Sequence, residues 1–161
     1  MKIPVFHDDQ HGTAIVVCAA AKNALLVAKK HFKDVKIVST GGGAAGIACL
    51  NMLVKLGVKK KNIWLCDKHG LVYAGRTIDM NSEKSAFAQK TNLRSLEQVI
   101  ENADMFLGLS GPDVLKPALV KKMNAKPIIF ALANPSPEIM PDIASKAAPD
   151  AIIATGRSDF F

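Results

Sequence analysis

Val35-Lys36-Ile37-Val38-Ser39-Thr40-Gly41-Gly42-Gly43-Ala44-Ala45-Gly46 joins a β-branched apolar run directly to a glycine-rich turn. A second apolar run, Ile63-Trp64-Leu65-Cys66, ends on an acid, Asp67. In this order the pieces form a dinucleotide-binding fingerprint. Gly41 lets the strand turn tightly, and Gly43 lets the backbone approach a pyrophosphate. Gly46 lets the following helix pack close to the sheet, its N-terminal amides facing the phosphates. Asp67 is then placed to accept ribose hydroxyls.

Glycine-rich turns also arise wherever a loop needs positive φ, so the context decides. The run before the turn has strand character, Ala44 to Leu56 has helical periodicity, and Lys59-Lys60-Lys61-Asn62 breaks the pattern before the second strand. The nucleotide reading therefore outweighs that of a structural turn.

The alternation continues. Ser95-Leu96-Glu97-Gln98-Val99-Ile100 reads as a helix with Ser95 as N-cap and Gln98 three residues on, and Asp104 to Ser110 as the next strand, ended by Gly111-Pro112. Val114 to Met123 reads as a helix, Pro127 to Ala133 as a buried strand, Pro137 to Lys146 as a helix, and Ala151 to Thr155 as a last strand. Five strands joined mostly by helices predict an α/β fold, a Rossmann-type doubly wound parallel sheet. A long helix, about Thr13 to Lys30, precedes the first strand, and Lys68 to Thr77 reads as a turn region containing the single tyrosine, Tyr73.

The chain has 161 residues, 49% hydrophobic and 22% charged, which predicts one soluble globular domain spanning 1–161. No uninterrupted apolar run reaches membrane-span length, and the N-terminus lacks signal-peptide character, so no membrane partner and a cytoplasmic location are expected. Cys18, Cys49 and Cys66 are odd in number, lack CxxC spacing and sit in apolar runs, as buried reduced thiols do. The net charge of +7 is spread over Lys29-Lys30, Lys59 to Lys61 and Lys121-Lys122, at predicted helix ends and turns. With one Trp and one Tyr there is no aromatic platform for single strands, and no nucleic-acid partner is expected.

Ligands of a doubly wound sheet sit outside the carboxyl ends of its strands. There the chain places Ser110-Gly111 and Asn134-Pro135, candidates for cofactor or substrate contact that also serve as chain-turning residues. Ahead of the first helix, His7-Asp8-Asp9-Gln10-His11-Gly12-Thr13 concentrates two acids and two imidazoles. Asp9 or Thr13 can cap that helix, but two adjacent acids exceed what capping needs, and their hard oxygens suit Mg²⁺ or Mn²⁺.

Pro4-Val5-Phe6-His7-Asp8-Asp9-Gln10-His11-Gly12-Thr13-Ala14 resembles the segment that opens the NAD-binding domain of malic enzymes. Gly41 to Ala48, Trp64-Leu65-Cys66-Asp67, Phe106 to Pro112, Phe130 to Pro135 and Thr155-Gly156-Arg157-Ser158-Asp159 resemble the bacterial form in the same order. The resemblance implies oxidative decarboxylation of L-malate to pyruvate and CO₂ with NAD or NADP and a divalent metal. By it, Asp9 matches the metal ligand, Asp8 the acid that supports the catalytic lysine, and Asn134 an asparagine near malate and the nicotinamide; an alignment shifted by one exchanges Asp8 and Asp9. The candidate cofactor contacts are Thr13, Gly41, Gly42, Gly43, Ala44, Ala45, Asp67, Lys68, Ser110, Gly111 and Asn134.

In the family, the tyrosine acid, lysine base, substrate arginine and further metal ligands lie upstream of this segment, and further substrate residues follow it. The chain is therefore expected to be a cofactor-binding part that lacks the N-terminal catalytic half and the C-terminal segment. Alone it is expected to be inactive, and the full-length form is expected to be a homo-oligomer. A malolactic enzyme shares both motifs, and a non-catalytic dinucleotide-binding module needs only the glycine fingerprint. The resemblance leans to NADP, with Lys68 and His69 offsetting a 2′-phosphate, whereas the bare charge of Asp67 favours NAD.

Overall fold

A computed structural model describes residues 3–160; Met1, Lys2 and Phe161 of the expected 1–161 domain lie outside the described residues. A π-helical turn, Asp8–Gly12, runs into α1, Thr13–Ala28. Then follow β1 (Ile37–Thr40), α2 (Ala44–Lys55), β2 (Ile63–Asp67), β3 (Gly70–Leu71) and the short helices α3 (Ser82–Ser85) and α4 (Leu96–Val99). The second half comprises β4 (Met105–Gly108), α5 (Pro117–Val120), β5 (Ile128–Ala131), α6 (Pro141–Ala147) and β6 (Ile152–Thr155).

The sheet order is β3-β2-β1-β4-β5-β6. All pairings from β2 to β6 are parallel, with Ile37 opposite both Ile63 and Met105, and Met105 opposite Ile128. The two-residue β3 corrects the expectation of a purely parallel five-stranded sheet. Within the segment expected to be only a turn, the chain folds back and pairs antiparallel to β2, Asp67 opposite Gly70. Gly70 permits this at φ +89, where an added Cβ would also lie 2.3 Å from the Arg94 carbonyl oxygen.

Strands β1, β4 and β5 are buried on both faces, which is why they read as continuous apolar runs. One face packs Ile37, Leu65, Leu107 and Phe130 against α1 and α2. The other packs Val38, Phe106 and Ile129 against residues of α4, α5 and α6. Burial of these side chains stabilises the fold by about 1.5–3 kcal/mol each.

Two predicted helices begin later than expected, for one reason. Residues before proline are pushed out of the helical region. Lys116, ahead of Pro117, is extended at ψ 149, and Met140, ahead of Pro141, at ψ 140. Each helix therefore begins at its proline, which is favoured in the first turn. The Ser95 and Gln98 capping box forms as predicted.

The π-helical turn and α1 form one 21-residue helix, Asp8–Ala28, whose most apolar 18-residue stretch has mean hydropathy 1.5. Lys22 and Asn23 interrupt its apolar run, in keeping with the sequence reading, yet the helix is long and apolar enough to cross a membrane by length and composition. In the fold, Ala14, Val17, Cys18, Ala21 and Leu25 face the first core, so the helix serves as a core helix of this sheet. Helix α1 ends where Lys29 turns left-handed at φ 59 and the Lys30 amide donates to Leu25 O.

Candidate functional site

The topology reverses between β1 and β4, and the crevice outside the carboxyl ends of the strands there is where open α/β sheets bind ligands. Two clefts open at this end. The larger, about 680 Å³, is lined by Thr40, Gly41, Gly42, Gly43, Asp67, Lys68, Ser110 and Gly111, together with Asp79, Asn81 and Lys84. The second, about 480 Å³, is lined by Asp8, Asp9, Thr13, Ala45, Asn134, Thr155 and Gly156. The candidate residues thus gather at one end of the sheet in two groups. Ala44 lines neither cleft and forms the first turn of α2 between them.

The glycine loop divides its labour. Gly41 adopts φ +102 and packs so tightly that a Cβ would lie 2.2 Å from Leu109 O. Gly43 has ordinary extended geometry, φ −82, and nothing lies within 4 Å of a Cβ built there. Its missing side chain leaves open space at the mouth of the larger cleft, where the amides beginning α2 lack helical acceptors.

At the end of β2, Asp67 is almost buried, its side chain 7% exposed. Arg76 Nη2 and Lys84 Nζ both donate to Asp67 Oδ2, and the His69 amide donates to Oδ1. Burial by itself raises the Asp67 pKa, but the hydrogen bonds from Arg76, His69 and Lys84 hold it below the ordinary carboxylate value. The sequence treats Asp67 as a free acid facing the ribose; in the structure its charge is offset by two buried cations. Arg76 also donates to the carbonyls of Gly70, Leu71 and Ile78, stapling the β2–β3 turn.

Asp79 lies 3.1 Å from Lys84 Nζ, and its Oδ2 is 4.0 Å from both Lys68 Nζ and His69 Nε2. Two acids thus face three permanent cations here. Lys68 is the exposed one, its side chain 76% accessible.

In the second cleft, neither Asp9 nor Thr13 caps α1, as the simple alternative has it. The helix runs back through Gly12, at φ −63 and ψ −49, into the π-helical turn, with no side-chain cap. A Cβ on Gly12 would collide with Asp8 Oδ1, so the bare glycine lets the Asp8 carboxylate fold over the turn. Asp8 and Asp9 share this cleft with Asn134. Among the described residues no group of three or more His, Cys, Asp or Glu assembles, so no full set of cation ligands is gathered there.

Sequence reasoning missed Arg76, Asp79, Lys84 and Glu138. Glu138 is wholly buried between the clefts, its Oε1 accepting from the Ser110 amide at 2.8 Å and hydroxyl at 3.1 Å, its Oε2 from the Ala133 amide at 3.1 Å. An acid inside the apolar stretch Pro137-Glu138-Ile139-Met140 was the available signal, since buried acids need donors.

Residues 10–159 match the family described as malic enzyme, NAD binding domain. The NAD-dependent malic enzyme of Rhizobium meliloti strain 1021 is 57% identical over 160 residues, covering 99% of this chain and 21% of the relative. The NADP-dependent malic enzyme of Salmonella typhimurium is 55% identical over 161 residues, again covering 99% of this chain and 21% of the relative. Among solved structures, the NAD-dependent malic enzyme of Thermotoga maritima superimposes with a TM-score of 0.90 at 45% identity, covering 99% of this chain and 43% of that one. The chain spans about a fifth of the length of those two curated relatives. Matched over residues 10–159 and 57% identical to one named malic enzyme, this chain belongs to the malic enzyme family, as its NAD-binding domain.

Proposed function

We propose that this chain binds NAD or NADP across the two clefts as the cofactor half of an NAD(P)-dependent oxidoreductase that converts L-malate to pyruvate and CO₂. The observation that carries this reading is the adjacency of the clefts. The glycine loop and α2 amides suit a pyrophosphate, and Asp8, Asp9 and Asn134 stand just beyond Ala45, where a nicotinamide would meet an acid substrate. Mg²⁺ or Mn²⁺ held in part by Asp9 supplies charge stabilisation at the malate 2-hydroxyl when bound. Asp8 orders the neighbouring lysine of an N-terminal domain, and Asn134 orients malate against the nicotinamide.

The division of labour explains why the remaining ligands, the proton acceptor and the proton donor are assigned to the other domain. Tyr73, the one tyrosine, sits under the Arg94 guanidinium at 3.7 Å beside the β2–β3 turn, away from Asp8 and Asp9. For cofactor choice, the two cations on Asp67 offset its repulsion toward a 2′-phosphate, and Lys68, exposed and 4.0 Å from Asp79, stands where it would meet one, which favours NADP. A cytoplasmic setting accords with three buried, unpaired thiols: burial pushes Cys18 up to about 11 and Cys49 and Cys66 up to about 12.

The test is reduction of NADP⁺ or NAD⁺, followed at 340 nm, by the full-length protein containing this domain, with L-malate and Mn²⁺. Malate-dependent absorbance with pyruvate release is the expected result. Conversion of malate to lactate with no net reduction would instead identify malolactic chemistry, and no reaction with retained dinucleotide binding would identify a non-catalytic module.

A further inference from the structure

Glu138 enters α/β packing at an unusual place. Its carboxylate is entirely buried and lies flat on β4, where a Cβ on Gly108 would sit 2.4 Å from the Glu138 carboxyl carbon. From there it takes three donors that belong to two different loops. Ser110, just past β4, gives its amide and its hydroxyl; Ala133, just past β5, gives its amide. The Glu138 carbonyl also accepts from the Leu115 amide at 3.0 Å. One residue therefore ties the loop bounding the larger cleft to the loop carrying Asn134 into the second cleft.

The hydroxyl geometry has a chemical consequence. Ser110 Oγ lies 2.9 Å from Thr40 Oγ1 and 3.1 Å from Glu138 Oε1. A hydroxyl has one proton and a carboxylate oxygen can only accept, so the Ser110 proton goes to Glu138 and the Thr40 hydroxyl donates to Ser110. Ser110 then faces the larger cleft with a lone pair and no proton. That pattern accepts from a ribose hydroxyl and rejects a phosphate oxygen, itself an acceptor.

We propose that Glu138 is a positioning residue for dinucleotide binding, ordering the Ser110 and Asn134 loops together and fixing the Ser110 hydroxyl as an acceptor for a ribose hydroxyl. This inference rests on the dinucleotide reading of the clefts. It follows that replacing the carboxylate by an amide is not neutral. In either orientation the Glu138→Gln amide sets an N–H against an N–H donor, at Ser110 or at Ala133, and one loop loses its acceptor.

The test is calorimetric titration of NADP⁺ and NAD⁺ into this chain and its variants, at a temperature where circular dichroism shows each one folded. The unmodified chain binds, and Glu138→Gln binds about tenfold more weakly, the scale of one or two lost hydrogen bonds. Ser110→Ala also weakens binding, and the double variant loses less than the product of the two single losses, because part of the Glu138 effect passes through the Ser110 hydroxyl. A folded Glu138→Gln variant with affinity within about twofold of the unmodified chain overturns the proposal, as do losses that simply multiply. If Glu138→Gln does not fold, Ser110→Ala decides, since it leaves both amide bonds to Glu138 in place: weakened binding supports the proposal and unchanged binding overturns it. No binding of either dinucleotide by the unmodified chain overturns the reading of the clefts, and this inference with it.

Discussion

Gly46 is packed against Gly41: a Cβ built on Gly46 would lie 2.0 Å from the Gly41 carbonyl oxygen. That contact seats the first turn of α2 on the loop leaving β1. It separates two glycines that look alike in the sequence, because Gly43, three residues earlier, has nothing within 4 Å of its Cβ position. The fold needs Gly46 bare, whereas at Gly43 it leaves open space.

Gly43→Val is therefore expected to cost the fold at most about 1 kcal/mol, the scale of a poorer N-cap residue, while abolishing dinucleotide binding. Gly46→Val is expected to destabilise by several kcal/mol, roughly the scale of core overpacking or more. Thermal melting with and without NADP⁺ separates the two. A Gly43→Val variant that keeps its ligand-induced stabilisation would show that the loop is only a turn.

Lys68 tests cofactor choice cleanly, because its exposed side chain contributes little to the fold. Lys68→Ala is expected to weaken NADP⁺ by about 1.5 kcal/mol, a lost charge-assisted contact, and NAD⁺ far less. Equal losses for both cofactors, or tighter NAD⁺ binding by the unmodified chain, would return control to Asp67 and the preference to NAD.

Removal of the Asp67 carboxylate should be felt by the fold as well as the ligand. Asp67→Ala leaves Arg76 buried without its acid and Lys84 with Asp79 alone, and is expected to cost about 3–5 kcal/mol in urea unfolding. The pH dependence follows from the direction of the shift. Burial opposes ionisation of Asp67, yet its three donors win and its folded pKa lies below the ordinary value. Its contribution is thus fully present above the unfolded pKa of about 3.9 and is lost as pH falls through the lower folded value. Asp104 acts in the same window: burial raises it, but the Lys36 amide, Asn124 and Lys30 lower it further. Stability should be flat near neutrality and fall below about pH 4, with a shallower acid slope in Asp67→Asn. An unchanged slope in that variant would remove Asp67 from the acid transition.

This chain by itself is expected to bind a dinucleotide without oxidising malate, and to hold Mn²⁺ weakly. Asp8 and Asp9 offer at most two of the roughly six oxygens such a cation wants. A dissociation constant near about 10⁻³ M is expected from Mn²⁺ calorimetry. Micromolar affinity, or malate-dependent reduction of NADP⁺ by the pure chain, would show that the acid-base and metal residues need no second domain.

Local chemistry determined what was legible without a structure. The β-branched run into Gly41, the helical spacing from Ala44 and the apolar strands announced a doubly wound sheet, because backbone freedom at glycine and hydrophobic periodicity act over a few neighbouring residues. The same locality cut short the predicted helices at Val114 and Pro137, where the pre-proline restriction at Lys116 and Met140 outweighed apolar spacing. Tertiary structure alone decided the electrostatics of the site. Asp67 meets Arg76 and Lys84 across 9 and 17 residues, and Glu138 meets Ser110 across 28. Such pairs exist only once the turn after β2 folds back and the crossover from β4 to β5 returns the chain beside its starting strand. A buried carboxylate must find donors wherever the completed sheet provides them, and sequence spacing does not say which those are.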